Sequence, residues 1–135
     1  MKTIKSFAFF LIAFFICLVG NANSGAIEKV EKEKTVVYYF HNTRRCPTCM
    51  AIEKETKKVL EDSFAESVGK GDIVFKAYNA EEAENRELVK KMNVTGSALI
   101  IVKDGEKYDL TSKGFMYALK QPEKLRKALW EILVD

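Results

Sequence analysis

Thr35-Val36-Val37-Tyr38-Tyr39-Phe40-His41-Asn42-Thr43-Arg44-Arg45-Cys46-Pro47-Thr48-Cys49 is the stretch from which the rest of the chain is read. Thr35 to Phe40 is β-branched and aromatic, the pattern of a strand buried on both faces and hence of a central strand. His41 to Arg45 follows as the loop at its C-terminal end. Beyond it, apolar or small side chains at Cys49, Ile52, Thr56, Val59, Leu60 and Phe64 keep helical spacing, with Lys and Glu on the other face. Pro47 suits the first turn, where its missing N–H costs nothing. Cys46 and Cys49 thus open a helix directly after a buried strand. Their sulfurs are close enough to bond, and a helix N-terminus favours the charge of a thiolate. The chemistry indicated is thiol and disulfide exchange, with Cys46 able to act as a nucleophile.

The residues ahead of this stretch read as an export signal. Lys2 and Lys5 form a basic n-region, Phe7 to Val19 is an uncharged apolar run, and Gly20-Asn21-Ala22 supplies the small residues a signal peptidase reads. The run is short for a membrane span, which takes about 20 apolar residues. We expect cleavage after Ala22, with Ala26 as second choice, and a soluble product that is periplasmic or secreted; an uncleaved membrane anchor is the competing reading. Lipidation at Cys17 is disfavoured by bulky Ile16 before it and by Leu18-Val19, which continue the apolar run. Residues 1–22 are then a signal peptide, 23–34 a charged linker and 35–135 one domain. Loss of Lys2 and Lys5 leaves 20 of the 22 basic side chains against 19 acidic ones, a net charge of +1 that offers nucleic acid little. Of the three cysteines, only Cys46 and Cys49 survive processing. A disulfide between them closes so short a loop that stabilisation is a weak reason for it and a redox role a stronger one.

Further along, Gly69-Lys70-Gly71 breaks the chain and Asp72 to Tyr78 gives a second strand around Ile73-Val74-Phe75. Asn79 to Met92 reads as a polar second helix anchored by Leu88, Val89 and Met92, and Ala98 to Val102 as a third buried strand. Asp104-Gly105 marks a hairpin turn into Lys107 to Leu110. The last helix starts near Pro122 and places Leu125, Ala128, Leu129, Ile132 and Leu133 on one face. The order strand, helix, strand, helix, strand, strand, helix predicts parallel strands with helical crossovers closed by an antiparallel hairpin, a three-layer α/β sandwich.

From Thr35 to Val134 this order resembles the thioredoxin superfamily. The likeness rests on a strand running into Cys-x-x-Cys, on the segment from Glu87 to Gly96, and on the Asp104-Gly105 hairpin followed by a terminal amphipathic helix. It implies a thioredoxin-like α/β/α sandwich with a mixed central sheet of about four strands. Cys46 would then attack and Cys49 resolve, on protein disulfides or dithiols as clients or with a redox partner, a membrane protein among the candidates. No cofactor is called for, and the chain is expected to be a monomer. Substrate contact would fall to Pro47 and Thr48 between the cysteines and to Ser97 and Ala98 opposite them.

Departures from the family pattern add residues to the site. Arg45, preceded by Arg44, stands where an aromatic side chain is usual; cations beside a thiol favour its thiolate and an oxidising couple, whereas the plainer role is to solvate the loop. In Thr95-Gly96-Ser97-Ala98, Ser97 or Ala98 replaces the family's cis-proline, so this loop is expected to be all trans, with an altered edge for a substrate peptide. Phe40 occupies the position of the family's buried acid, leaving Lys76 without that partner. His41, the sole histidine, is the nearest alternative proton carrier, although such a residue more often caps a strand end.

Two other functions fit the same residues: copper or zinc handling by Cys46, Cys49 and His41, and a noncatalytic binding module with a structural disulfide. Phe115-Met116-Tyr117 read as core or lid, with a client groove beside the cysteines as the alternative, Trp130 as packing, the Lys and Glu runs as solvated faces, and Asn93-Val94-Thr95 as a short match to a glycosylation acceptor.

Overall fold

Along β1 (Thr35–His41), successive side chains alternate between two apolar clusters, as the pleat requires. Val37 and Tyr39 enter one and Tyr38 and Phe40 face the other, so the strand is central and lined on both sides. The computed structural model describes residues 34–134. The expected signal peptide, Cys17, nearly all of the linker and Asp135 lie outside them.

β1 pairs in parallel with β2 (Ile73–Asn79) and antiparallel with β3 (Ala98–Lys103), which pairs antiparallel with β4 (Glu106–Asp109). Among the described residues the sheet has four strands in the order β2-β1-β3-β4. One cluster holds Ile52, Val59 and Leu60 of α1 (Pro47–Ser63) and Leu125, Leu129 and Leu133 of α5 (Pro122–Val134) against Val37, Tyr39, Leu99 and Ile101. The opposite face is covered by Leu88 and Val89 of α3 (Arg86–Lys91), with Met92 and Val94. These are the expected layers, and the described residues form a thioredoxin-like α/β fold.

The parallel-crossover expectation holds for β1 and β2 alone. Because β3 runs antiparallel to β1, it begins where β1 ends, with Ala98 beside Phe40. That direction carries Ser97 to the cysteine end of the sheet.

Helix boundaries differ for identifiable reasons. The second helix expected over Asn79 to Met92 is reduced to a 3-10 turn (Ala83–Asn85) and the six residues of α3. The Asn79 side chain accepts from the Glu81 amide at 3.1 Å, and Asn85 Nδ2 donates to the Asn79 carbonyl at 2.9 Å. Such local side-chain bonds compete with helical ones. A short α2 (Ala65–Lys70), unexpected from the sequence, follows α1. It ends in a Schellman closure at Gly71, φ 78°, with Gly71 N to Val68 O at 3.0 Å and Asp72 N to Ser67 O at 2.9 Å. α3 ends in the same way at Asn93, φ 52°, which aims the chain into residues 94–97. Asp104 and Gly105, at φ 49° and 78°, make the expected hairpin turn.

A further helix, α4 (Thr111–Tyr117), occupies the stretch before α5, where the sequence predicts no element. The Asp109 carboxylate accepts from the Thr111 amide at 2.9 Å to start it. Tyr117 packs on the first cluster, but Phe115 and Met116 are exposed, as is Trp130, so a packing role fails for these three.

Gly114 in α4 lies against fully buried Ile52, where an added Cβ would meet Ile52 side-chain atoms at 3.1, 3.2 and 3.4 Å. Relief of helical glycine is worth about 0.5–1 kcal/mol, whereas overpacking costs about 1–3 kcal/mol. Gly114→Ala should therefore destabilise the protein by about 1 kcal/mol in urea unfolding. Combined with Ile52→Val, it should cost less than the sum of the two single changes.

Candidate active site

Cys46 is the N-cap of α1, in extended backbone at φ −83° and ψ 161°, with Pro47 as the first helical residue. Its sulfur accepts a hydrogen bond from the Cys49 amide at 3.1 Å, the bond a serine or aspartate oxygen makes in an ordinary cap. Its carbonyl accepts from Met50 N at 3.0 Å, the first bond of the helix. No acidic residue lies in the first turn to oppose a negative sulfur. Cys46 and Cys49 are joined by a disulfide with Cα atoms 5.1 Å apart. Cys46 is half-buried and Cys49 only 6% exposed, so the first sulfur is the more accessible of the two.

Cys49 is held on every polar atom. Its amide donates to Cys46, its carbonyl accepts from the Tyr39 hydroxyl at 2.6 Å, and its sulfur lies 3.7 Å from Ser97 Oγ. Tyr39 is fully buried, and burial holds its phenol above the ordinary range although Arg45 pulls the other way.

Arg45 turns toward α1. Its guanidinium pairs with Glu53 and lies 5.6 Å from the centroid of the Tyr39 ring. Among the described residues no hydrogen bond runs from Arg45 to Cys46, and Arg45 Nε is buried without a partner. The pairing with Glu53 raises the Arg45 pKa. Burial by itself would raise the Glu53 carboxyl, but hydrogen bonds from Lys57, at 2.7 Å, and from Arg45 outweigh it and hold the group below the ordinary carboxylate range. Arg45 is therefore a cation committed to Glu53, which it shares with Lys57, rather than a free one beside the cysteine pair.

The other expected residues separate. Pro47 is exposed and Thr48 half-buried on the turn between the cysteines. Ser97 approaches Cys49, whereas Ala98 is buried in the second cluster and paired with Phe40. Gly96 stands near Asn42, where an added Cβ would lie 3.8 Å from Asn42 Oδ1, so the loops before Cys46 and before β3 face each other. No peptide bond among the described residues is cis. His41 caps the end of β1, its Nδ1 3.0 Å from the Asn42 carbonyl and its ring 6.0 Å from that of Tyr39. Among the described residues no group of three or more His, Cys, Asp or Glu is placed to hold a metal, so His41, Cys46 and Cys49 do not assemble as a ligand set.

Phe40, at the expected place of a buried acid, faces away from α1 with its ring 6.0 Å from that of Tyr78, and Lys76 is exposed on β2. The side chain beneath Cys49 is Tyr39. Strand parity shows this, since Tyr39 shares the face of Val37. Glu53 also carries no mark in the sequence, yet it follows Cys46 by seven residues, two helical turns on the same side. Thr43 ties the cysteine loop to the segment after β2: its amide donates to Glu81 at 2.8 Å and its hydroxyl accepts from Asn79 at 3.0 Å, and hydrogen bonding by the Thr43 side chain first and its amide second lowers the Glu81 pKa.

A mixed sheet with a half-buried and a buried cysteine paired at the start of its first helix defines a thioredoxin-like fold with a redox-type cysteine pair. Among solved structures, a thioredoxin from Thermus thermophilus aligns at a TM-score of 0.44 and 20% identity, over 75% of each chain. A structure described as a malarial protein aligns at 0.42 and 18%, over 65% of this chain and 96% of its own. At these values the fold rests on strand order, pairing direction and the place of the cysteines. No protein-family model matches the chain, and no curated protein does.

The lowered pKa of Glu53 has a consequence for stability. A carboxyl with a folded pKa below its unfolded one stabilises above the unfolded value and loses that contribution as pH falls through the folded value. Glu53→Gln should therefore flatten the acid limb of thermal stability below pH 4.5, the ordinary value for this group, and weaken the fold at neutral pH. Differential scanning fluorimetry across pH checks both.

Proposed function

We propose that this chain is an exported thiol-disulfide oxidoreductase in which Cys46 and Cys49 alternate between disulfide and dithiol, exchanging with protein disulfides or with a partner redox protein. The observation that carries the reading is the asymmetry of the pair: a half-buried sulfur capping the helix and a buried one behind it. A structural disulfide needs no such asymmetry, and a loop this short would give it only about 2 kcal/mol. The export component rests on the leader-like residues 1–22.

In the reducing direction the Cys46 thiolate, stabilised by the Cys49 amide and the helix N-terminus, attacks one sulfur of a client disulfide. The client S–S bond breaks, its other sulfur leaves as thiolate and takes a proton, and a mixed disulfide forms. Cys49 then gives up its proton, with the Ser97 hydroxyl as its nearest polar neighbour, and attacks the Cys46 sulfur. The second client sulfur leaves and is protonated. Two electrons and the Cys49 proton pass from the pair to the client, and solvent supplies the second proton. The reverse sequence donates the disulfide. Exposed Pro47 and half-buried Thr48 border the approach, with Ser97 opposite.

The cysteine variants separate this reading from a noncatalytic module. With insulin as the disulfide substrate, Cys49→Ser should accumulate a mixed disulfide through Cys46, and Cys46→Ser should form none and reduce insulin at the uncatalysed rate. Wild-type protein that reduces insulin no faster than a Cys46→Ser control, with no adduct in Cys49→Ser, would remove the proposal.

A further inference from the structure

Building on the thiol-disulfide reading, we propose that Glu53 is a positioning residue for the redox pair: by holding Arg45 in an ion pair over the Tyr39 ring, it withdraws that cation from Cys46 and limits the acidity of the attacking thiol. Arg45 immediately precedes Cys46 and is the nearest permanent cation in sequence, so a guanidinium free to reach the sulfur would strongly favour the thiolate. The structure commits it elsewhere. Glu53 takes one edge of the guanidinium, the Tyr39 ring lies against it, and the Tyr39 hydroxyl is itself fixed to the Cys49 carbonyl. Glu53 has only 15% of its side chain exposed and is held on its other oxygen by Lys57, which also lies 5.5 Å from the Phe75 ring. The arrangement is thus anchored to β1, to α1 and to the backbone of the resolving cysteine.

The charged and titratable groups around the pair are Arg44 and Arg45 on the preceding loop, Tyr39 and His41 on β1, and Glu53 and Lys57 on α1. The approach to β3 contributes the Ser97 hydroxyl. When a client dithiol reduces the Cys46–Cys49 disulfide, two electrons move to the pair, Cys49 takes one of the two client protons, Cys46 remains a thiolate and the other proton goes to solvent. The more acidic Cys46 is, the more this reduced state is favoured and the more oxidising the couple becomes. Glu53 therefore holds the couple less oxidising than the two adjacent arginines would make it.

The test needs the reduced full-length chain and no client. The pH dependence of iodoacetamide alkylation at Cys46, read from the mass of its peptide, gives the thiol acidity in wild type, Glu53→Gln, Arg45→Met and the double variant. Glu53→Gln should raise the acid dissociation constant of Cys46 about three- to tenfold, and Arg45→Met should lower it. In the Arg45→Met background, Glu53→Gln should have less than about a third of its effect on the wild type, since the cation it releases is gone. Glu53→Asp, which retains the charge, should restore most of the wild-type acidity. An unchanged constant in Glu53→Gln, or an equal effect with and without Arg45, would overturn the inference. Should insulin reduction be absent while these shifts appear, the redox reading fails and the positioning role stands. Insulin reduction with unmoved acidity overturns the positioning role and leaves the redox reading in place.

Discussion

The hydrogen bond from the Cys49 amide to the Cys46 sulfur joins fold to chemistry. It requires the chain to leave a buried central strand, cross a short loop and begin a helix with sulfur in place of the usual capping oxygen. The same bond then serves two states: as a cap on the helix when the sulfur is in a disulfide, and as a stronger, charge-assisted bond when it is a thiolate. Cys49 in the first turn of α1 is held from below by Tyr39 and from the side by Ser97 on the approach to β3.

The residues that surround the pair follow from strand parity and sheet direction. Tyr39 lies under α1 because it alternates with Phe40 on β1, and Ser97 reaches Cys49 because β3 runs antiparallel to β1 and starts at the cysteine end. Thr43, bound to Asn79 and Glu81, fastens the intervening loop to the segment after β2. Arg45, which by sequence position looks like an activating cation, is instead tied to a carboxylate two helical turns away that it shares with Lys57.

Much of the architecture is legible in the sequence because burial writes a strong pattern. β1, β3, α1 and α5 follow directly from uninterrupted or periodic apolar runs, and the hairpin follows from Asp104-Gly105, whose positive φ angles few other residue pairs accept. The cysteine pair and its disulfide are likewise readable from spacing and placement. Elements that bury little are not: α2 and α4 are short, and the helix expected from Asn79 gives way to side-chain bonds made by Asn79 and Asn85. The antiparallel course of β3 escapes the sequence because an apolar run states that a strand is buried and not which way it points. Glu53 and Tyr39 escape it because a Glu in a charged helix and a Tyr in an apolar strand look like their neighbours until the fold sets them against Arg45.

The chemistry proposed for the site requires Cys46 and Cys49 to form a reversible couple within an intact fold. Equilibration in graded mixtures of reduced and oxidised glutathione, followed by acid quench and mass analysis of the Cys46 and Cys49 peptides, measures that couple. We expect one reversible two-electron transition, the same from either direction, with circular dichroism showing the folded chain on both sides. Cysteines that pair or separate only when the protein unfolds would contradict it.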